Sequence, residues 1–75
     1  MPLIQVKIIE GAFTEAQKRQ MIDKLTDAMV AVEGEAMCPV TWVTVEGVKG
    51  GDWGIGGRPM TATNVKALAA GKPLG

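Results

Sequence analysis

The sequence predicts an α+β fold: a β-α-β unit with a parallel strand pair, then a C-terminal hairpin and a short helix. Three stretches predict it. "LIQVKII", residues 3–9, alternates, with Ile4, Val6 and Ile8 on one side and Gln5 and Lys7 on the other, the period of a half-buried strand. From about Glu15 to Val32, apolar residues recur at three- and four-residue steps, as on one side of a helix. "PVTWVTVE", residues 39–46, is rich in β-branched side chains and reads as a second strand. Strand, long helix and strand in this order pair in parallel through a right-handed crossover.

Each element carries its own local signals. Pro2 stands at the start of the first strand, where a missing N–H costs little. "EGAFTEAQ" makes the turn, and Thr14 and Gln17 have the spacing of a capping box. Met21, Ile22, Leu25, Ala28, Met29 and Val32 form the helix's apolar stripe, with Arg19, Gln20, Asp23, Lys24 and Asp27 opposite. Gly34 suits the helix end. "VKGGDWGIGGRPM", residues 48–60, is too glycine-rich for helix and predicts a tight hairpin. "TATNVKALAAG" predicts a short helix capped by Thr61 or Thr63, ended by Gly71 and stopped by Pro73. One helix covers one face of a two-stranded parallel sheet. Such sheets are normally buried on both faces, so the other cover is expected from a further subunit.

Composition narrows the function classes. The chain has 75 residues, enough for one domain and a limited core. Small chains supplement such a core with disulfides, metal or oligomerisation. Cys38 is the lone cysteine and histidine is absent, which excludes an internal disulfide and a Cys/His metal site. Oligomerisation remains, and 47% apolar residues with five Met and two Trp suit it. Eight basic and eight acidic residues balance and form no basic stripe, so nucleic acid is not an expected partner. No apolar run reaches the roughly 18 residues of a membrane span, and no signal-peptide pattern opens the chain. A single reduced cysteine fits the cytoplasm.

Few residues can carry chemistry. Without histidine there is no Ser–His or Cys–His dyad. Cys38, between Met37 and Pro39, reads as a small packing residue. "GGDWGIGG" does not match G-x-G-x-x-G, and no helix follows it directly. Glu10, Glu15 and Glu46 are scattered along the chain. Pro2 is different. Initiator methionine is removed when a small residue follows, and its loss would expose a secondary amine at Pro2. Peptide α-amines titrate at about 7.7–8.0, and an apolar pocket or a nearby cation lowers that value toward a neutral base. With Met1 attached, the Pro2 nitrogen is an amide and no base.

The order "PLIQVKIIEG", "TEAQKRQMIDKLTDAM", "VTVE" and "GDWGIGG" resembles the 4-oxalocrotonate tautomerase family, over residues 2–58, with 59–75 as an added tail on a single domain of residues 1–75. The motifs in combination are Pro after Met, I-x-E-G ending the first strand, E-x-Q-K opening the helix, and an aromatic before G-I-G-G. The resemblance implies a homohexamer built as a trimer of dimers. It implies that an amino-terminal proline shuttles a proton between carbons of a small enol or keto acid. Pro2 then matches the base. Trp53 matches an aromatic that lines the pocket and keeps the amine's pKa low, Ile55 an apolar residue after it, and Ile9 a pocket residue. The family's two arginines are replaced, by Ala12 after the Glu-Gly pair and by Thr41 at the opening of the second strand. Arg58 is the leading substitute for the lost charge, and Lys7 is the other. The implied activity is a tautomerase-like isomerase without cofactor or metal. Two alternatives stand beside it: a hydratase or dehalogenase acting on unsaturated acids, and a ring-forming protein that keeps the shape without the chemistry.

Overall fold

The computed structural model describes residues 1–71. Its elements are β1 (Leu3–Ile9), α1 (Glu15–Glu33), a 3₁₀ helix (Glu35–Val40), β2 (Trp42–Val48), β3 (Trp53–Ile55), β4 (Arg58–Met60) and α2 (Ala62–Ala69). β1 pairs with β2 and β3 with β4, giving two two-stranded sheets. The chain forms two compact units: Met1–Val6 with Thr14–Glu46, and Lys7–Phe13 with the chain from Gly47 onward.

In the first unit the Trp42 N–H donates to the Pro2 carbonyl at 3.0 Å, which sets Leu3 opposite Trp42. Ile4 and Val6 are half-buried while Leu3 and Gln5 are exposed, the alternation expected of β1. α1 begins at the expected capping box. The Thr14 hydroxyl accepts from the Gln17 N–H at 3.1 Å, and the Gln17 side-chain oxygen accepts from the Thr14 N–H at 2.8 Å. At the other end Gly34 adopts φ 100° and ψ 152°, and its N–H donates to the Val30 carbonyl at 2.8 Å. That backbone is open to glycine and strained for other residues.

The apolar stripe of α1 is narrower than its pattern predicts. Met21, Leu25 and Met29 are half-buried and Val30 is buried, but Ile22 is exposed and Val32 is 85% exposed. Helical period fixes which residues share a side; the width actually covered depends on what packs there. β2 also starts later than the β-branched run suggests. Pro39 and Val40 belong to the 3₁₀ helix, and the strand opens only at Trp42. Pro39 has no N–H for a ladder, and its fixed φ suits a helical turn. Two three-residue turns hold the segment, Met37 N–H to the Gly34 carbonyl at 3.1 Å and Thr41 N–H to the Cys38 carbonyl at 3.2 Å.

In the second unit the Glu10 N–H donates to the Val48 carbonyl at 2.7 Å, setting Ile9 opposite Val48. Numbers rise together along both strands, so the pair is parallel. Among the described residues, Ile8, Ile9 and Met60 are this unit's buried apolar residues, with Met60 only 1% exposed. β3 and β4 form the expected hairpin, antiparallel, with Trp53 opposite Met60 and Ile55 opposite Arg58. The two residues between them, Gly56 and Gly57, have φ of 59° and 82°. A two-residue hairpin loop with positive φ at both positions is the type I′ turn, whose twist matches that of its strands. Thr61 caps α2: its hydroxyl accepts from the Asn64 N–H at 3.4 Å, and Asn64 Oδ1 accepts from the Thr61 N–H at 2.9 Å. Gly71 follows at φ 86°, and Pro73 lies outside the described residues.

Candidate active site

The end of β1, the following turn, the start of β3 and α2 converge on one cavity in the second unit. It has a volume of about 270 Å³ and is lined by Lys7, Ile8, Ile9, Phe13, Trp53 and Val65. Local structure explains each wall. Ile9 ends a strand whose backbone is held to Val48, which fixes where its side chain stands. Trp53 is half-buried at the start of β3, opposite the buried Met60, so the tight hairpin carries the ring on a firm base. Phe13 is half-buried in the turn before α1. Val65 sits in the first half of α2, whose N-terminus is set by the Thr61–Asn64 pair.

Five of the six lining residues are apolar, and Lys7 is the charged one among them. Its strand position is exposed. Among the described residues Lys7 makes no ion pair; the recorded pair is Lys18 with Glu15, at 3.1 Å on the surface of α1. An open, mostly apolar hollow with one cation in its lining has the chemistry to take a small organic anion by its body and its charged end.

The expected site residues distribute as follows. Ile9 and Trp53 meet in this cavity. Ile55 and Arg58 face each other at the turn end of the same hairpin, both exposed, and are not lining residues. Pro2 belongs to the first unit, is half-buried and gives its carbonyl to Trp42. Thr41 belongs to that unit too. Its hydroxyl donates to the Met37 carbonyl at 2.8 Å and to the Glu33 carboxylate. A hydroxyl has one proton, so Thr41 keeps only acceptor capacity for anything else. It cannot replace an arginine as donor to a carboxylate.

Phe13 and Val65 line the cavity without having been singled out by the sequence. Phe13 is the chain's one phenylalanine and stands between the first strand and the helix cap, a signal that marks a turn aromatic. Val65 gives no such signal, because one apolar residue of a short helix looks like any other. Among the described residues no cluster of His, Cys, Asp or Glu is placed to hold a metal ion, and no helix is long and apolar enough to cross a membrane.

A family model described as "Tautomerase enzyme" matches residues 2–63. The chain is 42% identical over 57 residues to 2-hydroxymuconate tautomerase of Pseudomonas putida, a match covering 76% of this chain and 87% of that protein. It is 44% identical over 62 residues to a probable tautomerase of Ralstonia nicotianae, covering 83% and 86% of the two chains. Among solved structures, apo "unFused 4-OT" superposes with a TM-score of 0.69 at 35% identity, covering 84% of this chain and 97% of the other. A structure from work on the 4-oxalocrotonate tautomerase isozymes of Methylibium petroleiphilum gives a TM-score of 0.67 at 37% identity, covering 85% and 97%.

Proposed function

The chain belongs to the tautomerase enzyme family, and on that premise we propose that it is an isomerase of small enol and keto acids with the amine of Pro2 as its general base. Pro2 directly after Met1, at the head of the segment that the family model matches, carries this reading. Loss of Met1 turns the Pro2 nitrogen from an amide into a secondary amine. The neutral amine takes the enol O–H proton or an α-carbon proton, becomes an ammonium, and returns a proton to another carbon as the double bond shifts. Trp53, Ile55 and Ile9 supply the apolar surface for substrate. Thr41, with its proton committed, offers a substrate an acceptor and no donor. Arg58 or Lys7 supplies the positive charge for the carboxylate. No metal or cofactor enters these steps. The similarity to 2-hydroxymuconate tautomerase supports a 2-hydroxydienoate-like substrate chemistry.

The match over residues 2–63 supports one tautomerase domain with a C-terminal tail. We further infer self-association, as a homohexamer arranged as a trimer of dimers. Leu3, Trp42 and Thr44 lie on one face of the strand pair, because paired and alternate residues share a face. Leu3 and Trp42 are both 53% exposed there, and the Thr44 hydroxyl is buried without a hydrogen-bond partner among the described residues. A greasy face suits a covering chain better than water. Cys38, exposed and unpaired, supports a reducing compartment such as the cytoplasm.

The test is ketonisation of an aryl enolpyruvate by protein whose intact mass shows Met1 removed, compared with protein that keeps it. The processed form should be active and the unprocessed form inactive. Equal activity of the two would overturn the proline-base reading.

A further inference from the structure

We propose that Lys7 is the carboxylate anchor of the cavity, and that the cavity takes a monocarboxylic acid with an aromatic or bulky apolar body. This deepens the reading above and rests on it for the chemistry, though not for the binding. Three observations carry it. Lys7 is the charged lining group, and it is unpaired among the described residues. Ala12 has no polar side chain, and Thr41, which the structure places at the end of the 3₁₀ helix rather than in the second strand, has its proton committed to Glu33 and Met37. The remaining walls are Ile8, Ile9, Phe13, Trp53 and Val65, with no second cation. A dicarboxylate would find no second cation in this lining for its other charge.

The cavity's form sharpens the class. At about 270 Å³ it lies just below the roughly 300–1,000 Å³ of ligand pockets, room for one ring or a branched chain. Phe13 and Trp53 offer aromatic surface to a flat body. Val65, in the first half of α2, closes the remaining wall. The substrate class that follows is a 2-keto monoacid, in its enol form, with an aryl or branched alkyl group on the third carbon.

Binding, measured by calorimetry on the full-length protein, tests this independently of turnover. The probes are 3-phenylpropionate, its neutral amide and adipate. The wild type should bind 3-phenylpropionate roughly fivefold more tightly than the amide, the scale of an ion pair with one exposed member. Lys7→Gln should erase that preference and Lys7→Arg should retain it. Val65→Phe, its fold checked by circular dichroism, should weaken acid and amide alike by filling the cavity. Adipate should bind no better than 3-phenylpropionate. No binding of 3-phenylpropionate, a preference that survives Lys7→Gln, tighter binding of adipate, or unchanged affinities in Val65→Phe would each overturn the proposal. Pro2→Ala separates the two readings. If turnover depends on Pro2 while Lys7→Gln changes nothing, only the anchor is wrong. If the Lys7 preference holds while turnover ignores Pro2, only the base is wrong.

Discussion

Pro2 can act only through its nitrogen, and that nitrogen has a basic lone pair only after Met1 is gone. A positioned general base contributes about 10²–10⁴-fold to rate. Pro2→Ala still leaves a primary amine at the same terminus, so kcat/KM should fall by about 10²-fold, the low end of that range. Full activity in this variant would remove proline from the mechanism. Thr41 presents the opposite case, a side chain already engaged. Its hydroxyl ties the end of the 3₁₀ helix to Glu33 and to the Met37 carbonyl. Thr41→Val keeps the shape and loses both bonds, so urea unfolding should show a loss of about 1–3 kcal/mol, the cost of leaving part-buried polar groups without partners. A variant as stable as wild type would show that these bonds contribute nothing.

Among the elements, the β3–β4 hairpin depends most openly on residue type. Gly56 and Gly57 both hold positive φ, and a Cβ at either meets nothing within 4 Å. Any penalty there is therefore backbone strain rather than collision. An L-residue in this region costs on the order of 1–2 kcal/mol, whereas Asn is tolerated and Asn-Gly is the favoured type I′ pair. Gly57→Ala should lower stability by about that amount and Gly56→Asn by clearly less, read from thermal melts. Equal losses would mean that the turn is of another type. α2 is a contrasting element. Its eight residues are too few to be stable alone, so its cap matters more than the same cap on the nineteen-residue α1. Thr61→Ala should cost about 0.5–2 kcal/mol. Hydrogen exchange should show protection lost across α2 first, with α1 unchanged. Uniform loss across both helices would place α2 in one cooperative unit with the rest.

At the scale of the whole molecule, the question is how so small a chain stays folded. Chains of this size bury only about 60% of the surface exposed when unfolded. Apolar side chains remain outside, among them Val32 at 85% exposure. The expected outcome of sedimentation at micromolar concentration is an assembly, for a hexamer six times the 7.9 kDa chain mass, about 47 kDa. A well-folded species near 7.9 kDa would end the self-association reading.

Sequence alone determined what depends on near neighbours. β1 spans the alternating residues 3–9, and α1 starts at the Thr14–Gln17 box and ends at Gly34. The glycine-rich stretch forms a hairpin, and Thr61 was one of two named caps for the last helix. Period, capping and positive φ all act within a few residues, so they can be read from the chain directly. The second strand shows where local reading fails: β-branched side chains suggested a start at Pro39, but the missing N–H of proline kept it in a 3₁₀ turn until Trp42. The site divides in the same way. Of the expected site residues, Ile9 and Trp53 line one cavity. That Lys7 lines it while Arg58 does not, and that Phe13 and Val65 close its walls, only the tertiary structure decided. Which side chains converge across dozens of residues depends on strand register and on where a helix docks, and no short run of sequence encodes either.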